Sequence, residues 1–372
     1  MARDYDVAVV GGGLVGGAIA YGLARLGRRA ALLDEGDVAY RASRGNFGLV
    51  WVQGKGLGLA PYGNWTQRAA RRAPELARAL QEETGTDVAL AQPGGFHVCL
   101  SEAELENRVA TLKQLVEQPG FERYGFEVLD RAGLAARLPG IGPQVVGATY
   151  CPLDGHVNPL RLMRALHEAF VKRGGAYLPL HKAERIGRRD GRFVIDGSGG
   201  AVTAAQVVLT AGLGNAALGP PLGLRALVRP QRGQVIVLER VRRFLAYPTA
   251  TIRQTDEGTV LIGDSQDESG FNESLSTSIS AVQAERALRI FPALREARVN
   301  RTWAALRVMS PDGFPIYEQS ASHPGAFLVT CHSGVTLAGA HAFDLAPRIA
   351  AGDLGADMKP FSAERLHVQK AA

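Results

Sequence analysis

The strongest constraint on this chain lies in its first 34 residues. An apolar run through Val7, Ala8, Val9 and Val10 leads straight into Gly11, Gly12 and Gly13, with a further glycine at Gly16. Such a run reads as a buried parallel strand. Gly11 allows the tight turn after it, Gly13 lets backbone approach a pyrophosphate, and Gly16 lets the following helix pack close. That helix is predicted over residues 14–27, with apolar spacing at Val15, Ile19, Leu23 and Leu26. Its unpaired N–H groups and positive dipole end face the phosphates. A strand over residues 30–33 then delivers Asp34, 21 positions after Gly13 and close to the usual ~20. Its carboxylate can accept both hydrogen bonds of an adenosine ribose. An acid there argues against a 2′-phosphate, so the pattern predicts a dinucleotide other than NADP.

Polar residues and glycines between 41 and 56 read as a binding loop. Helices are predicted over 59–84, 101–117, 130–137, 158–173 and 277–290. Asn158 is placed to cap its helix, Pro159 to start it and Gly174 to stop it. Strands are predicted over 145–150, 207–212, 233–239, 247–253, 258–263, 301–308 and 326–330, with a turn at 310–313 and a helix after 334. The last dozen residues read as a tail. Nucleotide-domain elements therefore recur at the start, middle and end of the chain, with antiparallel strands between.

Glycine supplies 45 of the 372 residues, against a usual ~7%. They punctuate turns and form no low-complexity tract, which suits a strand-rich fold. The net charge of +6 comes from Arg and Lys mixed with acids along the chain. Without a basic block, this predicts no nucleic-acid partner and a field that attracts anions. Cys99, Cys151 and Cys331 are far apart and form no CxxC, so no disulfide framework or metal site is predicted. No apolar run reaches the ~18 residues of a membrane span. The expected location is cytoplasmic, with peripheral association with an inner membrane allowed.

Several further segments extend the pattern. They are Ser43 to Gly48; Asp154, Gly155, His156, Asn158 and Pro159; residues 209–212; residues 230–234; residues 258–263; Trp303 to Arg307 with Pro311, Asp312 and Gly313; and His332, Ser333 and Gly334. Together and in this order they resemble the D-amino-acid oxidase-like FAD oxidoreductases over nearly the whole chain. Within that family, residues 46–55 and 306–313 are most similar to the catalytic subunits of opine oxidases and to D-hydroxyproline dehydrogenases.

The resemblance implies an α/β fold, α+β overall. A Rossmann-like FAD domain of the glutathione-reductase type carries an inserted antiparallel-sheet substrate domain. The FAD domain would comprise residues 1–58, 150–216 and 300–372, and the substrate domain residues 59–149 and 217–299. FAD, bound non-covalently, would be held at its ADP half by Gly11, Gly13, Leu14, Val15, Gly16, Asp34 and Glu35. Ser43, Arg44, Asn46, Phe47 and Gly48 would lie along the pyrophosphate and flavin, with Ala211 and Gly212 nearby. Gly334, Val335, Thr336 and Leu337 would meet the pyrimidine end of the ring, where a helix N-terminus favours the negative charge of the reduced form.

Arg307 matches the family arginine that pairs with a substrate carboxylate, and it also borders the flavin. A guanidinium binds a carboxylate in bidentate fashion and fixes its angle. His332 is a second polar contact, and Trp51, Gln53 and His97 are further pocket candidates. The implied reaction is oxidation of the Cα–N bond of a secondary or D-amino acid, such as an opine, D-hydroxyproline or an N-alkyl amino acid. A hydride passes to flavin N5, and the imine product hydrolyses. The strand over 260–263 lacks the lysine that sarcosine oxidases place over the flavin, which favours a dehydrogenase with a quinone or partner subunit as acceptor. Oxidation of a 2-hydroxy acid, or an FAD-binding subunit active only with partners, are the alternative readings.

Overall fold

The computed structural model describes residues 3–36, 42–263 and 265–368. Its centre is an eight-stranded sheet. Arg3–Val10 lies between Ala30–Leu33 and Val202–Leu209 and runs parallel to both. Ala176–Leu178 and Ala326–Thr330 extend this parallel run on either side. Ile316–Gln319 joins the far edge antiparallel.

Alternate residues of these strands point to opposite faces. Val7, Val9, Leu32, Val208 and Phe327 pack with Ile19, Leu23 and Leu337 of the helical layer. Ala8, Val10, Leu33, Val207 and Leu328 pack with Ile186, Phe193 and Ile195 on the other face. The latter come from an antiparallel ribbon, Ala183–Arg189 and Arg192–Gly197, that pairs with Val202–Leu209. Burial on both faces is why the strands read as apolar runs without alternation.

A second, four-stranded antiparallel sheet has the order Ile252–Gln254, Thr259–Ile262, Arg229–Arg240, Val299–Met309. The sequence groups residues 300–372 with the nucleotide-binding pieces. In the structure, Val299–Met309 pairs with Arg229–Arg240 along most of its length. A three-stranded sheet of Gly95–Cys99, Gly147–Cys151 and Glu127–Asp130 stands beside it. Phe96 joins the two through backbone hydrogen bonds to Pro248 and Ala250. One apolar core, with Phe96, Ile236, Ile252, Val260 and Phe291, fills the space between them.

Helix ends follow the expected chemistry. The Asn158 side chain accepts from the N–H groups of Leu160 and Arg161, and Pro159 opens the helix Pro159–Lys172. Gly174 takes a positive φ of 84° after it. The end of the chain departs from the expected tail. Phe361, Ala363 and Leu366 are buried, and Arg365 forms a bidentate pair with Asp312 at 2.7 and 3.0 Å. Among the described residues, no helix is long and apolar enough to cross a membrane.

Candidate active site

The first turn is built by close backbone approach. Gly11 has φ +107°, and a Cβ there would lie 2.6 Å from the Thr210 carbonyl oxygen. A Cβ on Gly16 would lie 1.9 Å from the Gly11 carbonyl oxygen, so the helix Leu14–Arg25 can sit against the strand only with glycine there. Gly12 is equally constrained, because its missing Cβ would meet Asp34 at 2.9 Å. A Cβ on Gly13 would meet the Ser43 hydroxyl at 2.7 Å, and that hydroxyl accepts from the Leu14 N–H at 2.9 Å. Asp34 Oδ2 accepts from Gly12 N–H at 2.7 Å and Oδ1 from Gly36 N–H at 2.9 Å. Each carboxylate oxygen accepts more than one hydrogen bond, so Asp34 keeps capacity for a ligand while holding the loop.

From here a continuous cavity of about 1110 Å³ runs through the molecule. At one end it is lined by Gly11, Gly13, Leu14, Val15, Asp34 and Glu35. Ser43, Arg44, Asn46, Phe47, Ala211 and Gly212 line its middle. Arg307, His332, Gly334, Val335 and Thr336 line it further on, with Trp51, Gln53 and His97. Gly16, Gly48 and Leu337 stand behind this lining. Gly48, at φ +91°, lets the loop pass the Val157 carbonyl, and Leu337 belongs to the helical core.

The loop across the middle is clamped by residues to which the sequence assigns no role. The Trp303 indole N–H donates to the Gly45 carbonyl at 3.1 Å. The buried guanidinium of Arg253 donates to the Phe47 carbonyl and stacks 5.6 Å from the Phe47 ring. Burial pushes Arg253 down to about 10. The Asn46 carboxamide accepts from Gly48 N–H at 2.7 Å, so it shapes the loop. Thr336 Oγ1 accepts from Trp51 N–H at 3.1 Å and donates to the Leu49 carbonyl at 3.2 Å. It therefore ties the loop to the helix Gly334–Ala340.

At the far end, Arg307 projects from Val299–Met309 and donates to the Ser265 carbonyl at 2.6 Å. Its guanidinium lies over Gly233, where a Cβ would stand 2.7 Å from Cζ. His332 Nε2 is 2.9 Å from Lys55 Nζ and 3.1 Å from Ser333 Oγ. Burial, then the charges of Lys55 and Arg307, hold His332 well below the ordinary histidine range, against a hydrogen bond with the Gly313 backbone. The imidazole is therefore neutral at physiological pH. Ser333 Oγ continues the chain to Tyr62 Oη at 3.0 Å.

Gln53 lines the cavity, but its amide is engaged in structure. Nε2 donates to Asp154 at 2.7 Å and Gly95 at 3.2 Å. Oε1 accepts from Arg108 at 3.0 Å and Thr149 at 2.8 Å. His97 is pushed down to about 4, by burial first and then by Arg108 and Arg286, and is also neutral. Val260, Leu261 and Ile262, expected to face the flavin, are buried, and none of them lines the cavity. The lysine beside Arg307 and His332 is Lys55, from a different loop. The absence of a lysine at 260–263 therefore says nothing about the electron acceptor.

Residues 6–348 match the sequence pattern of the FAD-dependent oxidoreductases. The chain belongs to this family. It is 46% identical over 368 residues to an opine oxidase subunit of Agrobacterium tumefaciens (strain Ach5), covering 99% of both chains. It is 45% identical, at the same coverage, to the corresponding opine oxidase subunit of Rhizobium meliloti. Among solved structures, glycine oxidase from Geobacillus kaustophilus shares the fold, with a TM-score of 0.87 at 24% identity, covering 97% of this chain and 98% of that one.

The residues of this FAD-dependent oxidoreductase fit the cofactor. The glycine cradle presents the bare backbone of Gly11, Gly12 and Gly13 to the cavity. His181 Nε2 and Thr330 Oγ1 are buried without a hydrogen-bond partner among the described residues, and both residues line the cavity. Bound FAD supplies a two-electron acceptor; the protein supplies binding, orientation and electrostatics.

Proposed function

We propose that this chain oxidises the Cα–N bond of a carboxylate-bearing amine, a secondary or D-amino acid such as an opine, D-hydroxyproline or an N-alkyl amino acid. The observation that carries this reading is Arg307 beside a neutral His332 in the cavity that Gly11, Gly13 and Asp34 enter from the other end. Arg307 is placed to bind the carboxylate through a planar fork, and Gly233 gives it room. The neutral imidazole of His332 can hydrogen-bond the substrate without adding charge beside the amine. No general base is needed for an amine that enters deprotonated. The two relatives named for opine oxidation support this substrate class.

Both of those relatives are named as subunits. We propose that a partner subunit completes the enzyme, and that it or a quinone takes the electrons. The test is anaerobic titration of the yellow protein, alone and co-expressed with its partner. Secondary amino acids are expected to bleach the visible absorption of the flavin, and 2-hydroxy acids are not. Bleaching by hydroxy acids alone sinks the amine reading.

A further inference from the structure

Three successive glycines, Gly11, Gly12 and Gly13, make the turn after the first strand. Peptides between glycines turn over easily, because no Cβ restricts their dihedral angles. Each peptide of the turn therefore needs an outside group to hold its orientation. The Gly11 N–H donates to the Leu33 carbonyl at 2.8 Å, and the Gly11 carbonyl accepts from Thr210 Oγ1 at 2.8 Å. Asp34 takes the Gly12 N–H. The Gly12 carbonyl is held by His167, whose Nε2 lies 2.7 Å from it. A carbonyl can only accept, so Nε2 carries the proton. His167 belongs to the helix Pro159–Lys172, 155 positions away from Gly12 and outside the glycine pattern. Its ring stacks on Tyr177, with centroids 4.6 Å apart and planes at 32°. It also lies against the bare backbone of Gly17, where a Cβ would stand 3.4 Å from Cδ2. Burial, with a smaller push from Arg44, holds His167 below the ordinary histidine range, against the hydrogen bond to Gly12 and the charge of Asp34. The neutral ring has a single N–H, and the Gly12 carbonyl takes it.

We propose that His167 is a positioning residue for the cofactor, whose Nε2–H fixes the Gly12–Gly13 peptide in the orientation that the FAD pyrophosphate requires. In a trans peptide the carbonyl and the following N–H point in opposite directions. With the Gly12 carbonyl drawn to His167, the Gly13 N–H points the other way, and Gly13 lines the cavity. A flipped peptide would reverse this and set a carbonyl oxygen, in place of a donor, where the anionic pyrophosphate belongs. Asp34 cannot prevent that flip by itself, because it holds the N–H of Gly12, one peptide earlier. His167 is not among the residues that line the cavity, so it acts through the turn and not by contact with the cofactor. The proposal rests on FAD binding alone and is independent of which substrate is oxidised.

The experiment compares wild type, His167→Gln and His167→Met. Glutamine and methionine are similar in length, but only glutamine carries an N–H for the carbonyl. FAD titration of the apoproteins gives the dissociation constants. His167→Met is expected to bind FAD about 3- to 10-fold more weakly than wild type, the range of one net hydrogen bond, and His167→Gln should stay within about twofold. In the FAD-loaded proteins, phosphorus NMR reads the pyrophosphate directly. Its resonances should shift in His167→Met and return towards wild type in His167→Gln. The apoprotein melting temperatures of the two variants should agree, because the donor serves the cofactor and not the helix. His167→Phe, which keeps a ring to stack on Tyr177 and lacks the donor, replaces His167→Met if that variant does not fold. A donor-free variant that binds FAD as tightly as wild type overturns the proposal. So does equal weakening in His167→Gln and the donor-free variant, which would make ring packing the relevant contribution.

Discussion

The two ends of the cavity are made in different ways. At the nucleotide end the machinery comes from residues 11–36 and is largely backbone: glycine turns, a helix start and one carboxylate that holds the turn. At the substrate end Lys55, Arg108, Arg307 and His332 come from four distant segments, and it is their side chains that line the cavity. A strand, turn and helix build the first end locally. The second exists only once the two smaller sheets are in place. The first end should therefore fail structurally when altered, and the second should fail functionally while the protein stays folded.

The largest structural effect is expected at Gly16. A Cβ there would stand 1.9 Å from the Gly11 carbonyl oxygen, a backbone atom that cannot rotate away. Gly16→Ala should weaken FAD binding at least about a hundredfold, about 3 kcal/mol, measured by flavin titration of the apoprotein. Stoichiometric FAD and an unchanged melting temperature in this variant would break the comparison at its strong end. Arg307→Ala comes next and should behave in the opposite way. It should retain FAD and its spectrum while kcat/KM for flavin reduction falls about a thousandfold. Loss of FAD with the arginine would mean that the substrate end also supports the cofactor structurally.

Legibility in the sequence follows the same division. The nucleotide turn is readable because glycine spacing and apolar runs are local signals, as are the Asn158 cap and the helix Thr277–Ile290. Gly95–Cys99 escapes such a reading, because a short strand behind Pro93 and Gly94 carries little periodic signal. The end of the chain reads as a tail because its anchors, Phe361 and Leu366, are isolated apolar residues whose partners lie far away. Arg307 and His332 are found through resemblance. Lys55 does not stand out, since a lysine in a glycine-rich loop looks solvated until the fold places it against His332. The clamps Arg253 and Trp303 act on backbone carbonyls of the 42–48 loop, a kind of contact that leaves no spacing pattern.

A support behind the substrate end gives the next prediction. Arg365 holds Asp312, whose neighbour Gly313 makes the backbone hydrogen bond to His332. Burial raises the Asp312 carboxyl, but the hydrogen bonds of Arg365 and the Phe314 N–H outweigh it, leaving the group below its ordinary value of 3.8. Its ionised form is therefore the one that stabilises the fold. That contribution is present above about pH 4 and is lost as the pH falls further, through the lowered folded value. Arg365→Met should cost about 1–3 kcal/mol at neutral pH, between the value of a surface pair and that of a fully buried one. In thermal melts the gap from wild type should close below about pH 4. A gap independent of pH would show that packing of the arginine stem, and not the ion pair, is what matters.

The smallest effect is also the sharpest test of the comparison, because it repeats the Gly16 substitution at the other end. A Cβ on Gly233 would stand 2.7 Å from Arg307 Cζ and 2.8 Å from both terminal nitrogens. These are the far end of a flexible side chain, which can swing aside without moving the strand. Gly233→Ala should therefore leave FAD binding and the melting temperature close to wild type. The cost appears where the guanidinium must meet a carboxylate, and kcat/KM should drop about tenfold, about 1.4 kcal/mol. The loss should be relieved for an amine without a carboxylate, which does not use Arg307. If Gly233→Ala instead releases FAD as Gly16→Ala does, the two ends share one structural unit, and the division between a backbone-built and a side-chain-built site does not hold.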